Sequence, residues 1–132
     1  MKITVDTNVL VRAAVQDDKE QAHQAIKVLQ EASLIAVSLP VLCEFVWVLN
    51  RGYKKPKVDI SEAVRRLMNC DNVMMNWPAV ETGLSIFNAG GDFADGVIAY
   101  EGSWLGAEEF TSFDKKAVSL LQSQGMSTRL LP

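Results

Sequence analysis

Leu34-Ile35-Ala36-Val37-Ser38-Leu39-Pro40 decides the fold. Its first five residues form a near-continuous apolar strand, the pattern of a parallel sheet with helices over both faces. Pro40, with its fixed φ and missing N–H, suits the first turn of the next helix. Val41, Leu42, Phe45, Val46, Val48 and Leu49 make that helix strongly apolar, and Glu44 is the one charge inside it before Arg51. A carboxylate in such surroundings is expensive unless a cation or metal pairs with it.

The same alternation runs outward in both directions. Toward the N-terminus, Ile3 to Val5 is a β-branched strand ended by Asp6-Thr7-Asn8, and Val9, Leu10, Val11, Ala13 and Ala14 open a buried helix. Asp17 with Glu20 forms a capping box, and Ala22, Ala25, Ile26 and Leu29 mark one face of a helix to about Ser33. Toward the C-terminus, Gly52 to Lys57 is a basic loop, and Asp59 with Glu62 opens an amphipathic helix through Ala63, Val64, Leu67 and Met68. Val73 to Met75 is a weaker strand. Pro78 starts a helix that Ala89-Gly90-Gly91 ends, and another runs from about Phe93 to Leu105. Phe110 to Phe113 is a strand, Lys115 to Gln124 a helix stopped by Gly125, and Thr128 to Leu131 a last strand. Four or five strands separated by helices predict an α/β protein, a three-layer α/β/α sandwich around a mainly parallel sheet.

The chain of 132 residues, with 48% hydrophobic and 22% charged residues, fits one globular domain over 1–132. Cys43 and Cys70 lack the spacing of a metal site or disulfide framework, and the single His23 cannot complete one, so reduced thiols and a cytoplasmic location are expected. No apolar run approaches the ~20 residues of a membrane span, so no membrane partner is expected. Thirteen Lys and Arg against sixteen Asp and Glu give a formal charge of −3, which excludes a global basic field for capturing nucleic acid. Phosphate-binding glycine loops and the G-x-S-x-G elbow are absent.

The acidic residues fall where parallel sheets build sites, at the carboxyl ends of strands. Asp6 and Asp114 each follow a predicted strand, Glu44 lies in the helix after another, and Asp92 and Asp95 open a helix where its dipole favours negative charge. Each has a structural reading too: Asp6 can end a strand, and Asp92 and Asp114 can cap helices. Together they offer up to five carboxylates with no companion His or Cys, a donor set that selects hard ions such as Mg²⁺ or Mn²⁺. Metal-assisted chemistry on phosphate esters follows.

Val5-Asp6-Thr7-Asn8-Val9-Leu10-Val11-Arg12, Glu44 in a central apolar helix, Asp92-Phe93-Ala94-Asp95-Gly96-Val97-Ile98-Ala99 and Ser112-Phe113-Asp114-Lys115-Lys116 resemble, in order and spacing, the PIN-domain ribonucleases. Among these the chain looks most like the VapC-type toxins of toxin–antitoxin pairs. The resemblance implies that Asp6, Glu44, Asp95 and Asp114, with Asp92 as a fifth contributor, hold one or two Mg²⁺ or Mn²⁺ ions. It further implies hydrolysis of RNA to 5′-phosphate and 3′-hydroxyl ends. Thr7, Asn8 and Ser112 match the family's supporting polar positions and would orient the carboxylates. A homodimer and a cognate antitoxin, covering the acidic groove and setting an Arg against the carboxylates, are implied by the resemblance alone. Two departures stand out. Ser112 replaces the usual Thr, keeping the hydroxyl, and Gly96 stands where Ala is common, at a helix-propensity cost of about 1 kcal/mol.

Two divalent ions would carry the formal charge from −3 to roughly +1, so the site would attract RNA only when loaded. Arg12, Lys115 and Lys116, with Arg51, Lys54, Lys55 and Lys57, are candidate phosphate contacts. Trp47, Tyr53, Trp77 and Trp104 are read first as packing residues and second as stacking platforms. Two other readings remain open at this point. An Asp after the first strand also suits a metal-dependent phosphatase of small esters, with Asp6 as nucleophile, and a PIN-like module without turnover would bind its partner only.

Overall fold

The computed structural model describes residues 1–132, and its contacts divide into two compact units, Met1–Asn76 and Trp77–Pro132. Five strands and seven α-helices alternate, and every strand pair is parallel, so the α/β expectation holds. The ladders form a three-stranded and a two-stranded sheet.

The first unit comprises β1 (Lys2–Thr4), α1 (Thr7–Val15), α2 (Lys19–Glu31), β2 (Leu34–Ala36), α3 (Leu39–Trp47), α4 (Lys57–Met68) and β3 (Val73–Met74). Parallel neighbours require a crossover, and the helix pairs α1–α2 and α3–α4 supply one each for the order β1-β2-β3. Ile3 lies opposite Ile35 and Ile35 opposite Val73, so one apolar row runs across the sheet. Burial along the deciding stretch alternates: Ile35 and Val37 are buried, Ala36 and Ser38 exposed. The run is thus covered less evenly than its composition implies, because side chains alternate between faces and the outer row is small or polar. Leu42, Ile60 and Val64 are completely buried and Phe45 almost so, so α3 and α4 both contribute side chains to this unit's core.

Two local readings shift. The cap of α2 is Asp18, which accepts a hydrogen bond from the Gln21 amide at 3.0 Å, and Asp17 turns instead to Arg12 and Tyr53. Helix α4 starts at Lys57 behind Pro56, so Asp59 sits within its first turn, favourable to the dipole, and is not the cap. His23 is exposed on α2.

The second unit comprises α5 (Trp77–Asn88), α6 (Phe93–Trp104), β4 (Phe110–Ser112), α7 (Lys115–Ser123) and β5 (Thr128–Leu130). Phe110 pairs with Thr128 and Ser112 with Leu130. Ile86, Ala99 and Leu121 are buried together, with Phe110, Leu120 and Met126 packed against them. Helices α5 and α6 form this unit's most extensive contact, and glycine makes it. A Cβ on Gly96 would lie 2.6 Å from the Thr82 carbonyl oxygen and 2.8 Å from the Gly83 Cα, so the two backbones touch. The propensity penalty of Gly96 is therefore exchanged for a close helix approach that no other residue permits. No helix is long and apolar enough to cross a membrane.

Candidate functional site

The acidic residues form two sets, one in each unit. In the first, β1 ends at Thr4 and Asp6 caps α1, its Oδ1 accepting from the Thr7 amide at 2.6 Å. Thr7 is the one buried polar residue of the chain, and its hydroxyl donates to Glu44 Oε2 at 3.3 Å. One residue thereby serves two carboxylates, its amide holding Asp6 and its hydroxyl reaching Glu44 on α3. Glu44 itself is exposed, so the desolvation cost expected from its apolar neighbours is not paid. In a helix those neighbours turn away: Leu42, Phe45 and Val46 face inward while Glu44 faces water. Asn8 is exposed in the first turn of α1.

In the second unit Asp92 caps α6, its Oδ1 accepting from the Ala94 amide at 3.2 Å. Asp114 caps α7, its Oδ1 accepting from the Lys116 and Ala117 amides at 2.9 and 3.1 Å. The capping reading of both is correct, and it does not exhaust them, since a carboxylate has two oxygens and the caps engage only Oδ1. Ser112 Oγ accepts from the Asp114 amide at 3.0 Å, which fixes the turn that aims the Asp114 side chain. Asp95 sits between these two caps electrostatically. Burial pushes its carboxyl above the usual range, and the charges of Asp92 and Asp114 push it further.

This donor chemistry fits a hard divalent cation. It consists of carboxylate oxygens whose mutual repulsion such an ion relieves, with Oδ2 of each capping residue left over for coordination. The side chains are nevertheless not drawn into a preformed cluster, for no three His, Cys, Asp or Glu are gathered closely enough to hold a metal. Three of the five are instead tethered to helix amides.

The basic candidates separate. Arg12 Nη1 bonds Asp17 Oδ1 at 3.1 Å, so it is engaged within the protein. Tyr53 Oη donates to the other oxygen, Asp17 Oδ2, at 3.0 Å, and this bond above all holds the Asp17 carboxyl below its usual pKa. Lys115 and Lys116 are exposed beside Asp114. The tryptophans correct their first reading as packing residues: Trp47, Trp77 and Trp104 are 59%, 45% and 76% exposed. Each stands on the solvent side of a helix whose apolar face is filled by other residues. Tyr53, by contrast, is only partly exposed. The Asp17 junction has no motif-level signature, because it joins residues 36 positions apart.

The order of an Asp after β1, a Glu on α3, an Asp pair at the start of α6 and an Asp capping α7 accompanies a sequence match to the PIN domain over residues 3–117. The chain belongs to the PIN-domain family. PIN domains are typically nucleases that act on RNA and use divalent metals, so nuclease-type hydrolysis is the chemistry this chain inherits. The match runs through residues of both units. No curated protein matches the chain significantly.

Proposed function

We propose that this PIN domain is a metal-dependent endoribonuclease and that it is the toxin of a toxin–antitoxin pair. The observation that carries the reading is the bridging of Asp6 and Glu44 by the buried Thr7, a polar contact over 37 residues that the packing of α1 on α3 maintains. A buried threonine aimed at a surface carboxylate contributes little to the core and is explained by the need to hold that carboxylate in place.

In this reading Asp6, Glu44, Asp95 and Asp114 hold Mg²⁺ or Mn²⁺, with Asp92 as a further ligand, and the chain 1–132 works as a single nuclease domain. A bound divalent ion lowers the pKa of water and neutralises the charge that develops on the attacked phosphodiester. The protein's own part is positional. Thr7 and Ser112 orient carboxylates through the bonds described, Asn8 supports the first set, and Lys115 and Lys116 offer positive charge to the phosphates. The oxygen-only donor set supports the metal assignment, and the family match supports RNA as substrate. A homodimer, a cytoplasmic location and an antitoxin that covers the acidic residues, an Arg against the carboxylates, complete the proposal on the strength of the toxin resemblance.

The deciding experiment is cleavage of total RNA by purified protein with Mn²⁺ or Mg²⁺, with EDTA and Asp6→Asn as controls. Discrete metal-dependent fragments, lost in the variant, are expected. Release of phosphate from small esters through an aspartyl-phosphate on Asp6, without RNA cleavage, would replace the nuclease with a phosphatase. Metal binding with neither activity would leave a binding module.

A further inference from the structure

Glu44 shares its exposed side of α3 with a residue that packing does not explain. Leu42, Phe45, Val46 and Leu49 fill the buried face, while Glu44, Trp47 and Arg51 face water. Trp47 is 59% exposed, which leaves unused much of the burial that makes an indole worth having in a fold. Residues three apart on a helix are surface neighbours, roughly 5–6 Å between Cβ atoms. Helical side chains also lean toward the N-terminus, a tendency that favours the Trp47 ring on the side of the turn that carries Glu44.

Beyond Trp47 the chain turns basic, and it is built and not loose. The helix widens into a π turn at Val48–Gly52, closed by the Tyr53 amide on the Val48 carbonyl at 3.0 Å and the Lys55 amide on the Leu49 carbonyl at 2.9 Å. Lys54 is held at φ 53°, a left-handed conformation that costs a side-chain-bearing residue about 1 kcal/mol or more. Tyr53 is tied to Asp17, which Arg12 also holds. The segment presenting Arg51 and Lys54 is thus fixed at both ends of one turn, directly after the exposed indole.

Resting on the endoribonuclease reading, we propose that Trp47 is a stacking platform for an unpaired base of the RNA, with Arg51 and Lys54 contacting the phosphates that flank it. Charge singles out this tryptophan. Trp104, more exposed still, has Glu101 one turn before it on α6 and Glu108 and Glu109 soon after it in the chain, and no Lys or Arg lies within ten residues of Trp77 in sequence, whereas Arg51, Lys54, Lys55 and Lys57 follow Trp47. An indole face stacks on any base, so Trp47 would discriminate strandedness and not sequence. A base inside a duplex is already stacked on both faces, so the substrate segment is single-stranded.

The test measures binding of a mixed-sequence single-stranded RNA, and of the same strand annealed to its complement, with Ca²⁺ replacing Mg²⁺ to suppress turnover. It then measures cleavage of the single strand with Mg²⁺. Wild type, Trp47→Ala, Trp47→Phe and Trp104→Ala are compared, their folding checked by Tm. Trp47→Ala is expected to weaken single-strand binding roughly 5- to 150-fold, raising KM while kcat stays within about twofold. Trp47→Phe should recover most of the loss, Trp104→Ala should match wild type, and duplex should bind weakly throughout. Wild-type affinity in a folded Trp47→Ala, with RNA still cleaved, would overturn the stacking assignment and leave the nuclease standing. Failure of wild type to bind or cleave either RNA would overturn both.

Discussion

The two acidic sets solve the same electrostatic problem in opposite ways. Asp6 and Glu44 are joined through Thr7, whose amide and buried hydroxyl satisfy one oxygen of each, and both carboxylates open to water. Asp92, Asp95 and Asp114 have no such mediator: the outer two spend Oδ1 on helix amides, and Asp95, partly buried, takes the repulsion of both. In the second set, burial and the charges of Asp92 and Asp114 hold the Asp95 carboxyl above its usual range. A neutral hydroxyl among carboxylates gives order, whereas carboxylates facing carboxylates raise the affinity of one of them for a proton.

Removing a carboxylate from either set tests whether both serve the reaction. Asp114→Asn keeps the shape and an oxygen for the cap, yet RNA cleavage is expected to fall at least about a hundredfold in a steady-state assay. Full activity would detach the second set from the chemistry. Gly96→Ala asks whether the second set depends on the close helix pair that carries Asp95. The methyl group would meet the Thr82 carbonyl at 2.6 Å, so despite a helix-propensity gain of about 1 kcal/mol the variant should lose about 2 kcal/mol in urea unfolding. Thr7→Val removes only the mediator of the first set. It should cost about tenfold in kcat with stability changed by no more than about 1 kcal/mol, and Thr7→Ser should restore the rate.

The comparison also has a pH signature. Asp95 binds its proton more tightly folded than unfolded, so stability falls as pH rises from about 3.8 through the raised folded pKa and stays lower above it. Asp95→Asn should therefore raise the metal-free Tm at neutral pH while abolishing the Mn²⁺-dependent increase in Tm. A lower Tm in EDTA would show that the second set is not strained. Away from both sets, Asp17 has the opposite sign. Its lowered pKa gives stability that is present above about pH 3.8 and lost as pH falls through the folded value. Tyr53→Phe should lower Tm slightly at pH 7 and not at all in strong acid, the smallest effect expected because the pair is exposed.

The residues themselves settled much of this. The alternation of β-branched runs with amphipathic stretches determined an α/β protein with parallel strands, because side-chain periodicity is local and each period admits one regular structure. The helix-start placement of four of the five acidic positions was legible for the same reason: Asp6, Asp92 and Asp114 cap helices and Asp95 lies in the first turn of α6, where turn chemistry is written in the chain. What stayed hidden depended on contacts between segments. Glu44 was read as a costly buried charge and is exposed, Gly96 as a weak helix residue and is a contact point, and Trp47 as packing and faces water. Asp18 caps α2 in place of Asp17, whose carboxylate is engaged by Arg12 and by Tyr53, 36 residues away. Composition says what a side chain prefers. Only the packed structure decides which neighbours compete for it, since burial and close approach are properties of pairs of elements that no single stretch of sequence contains.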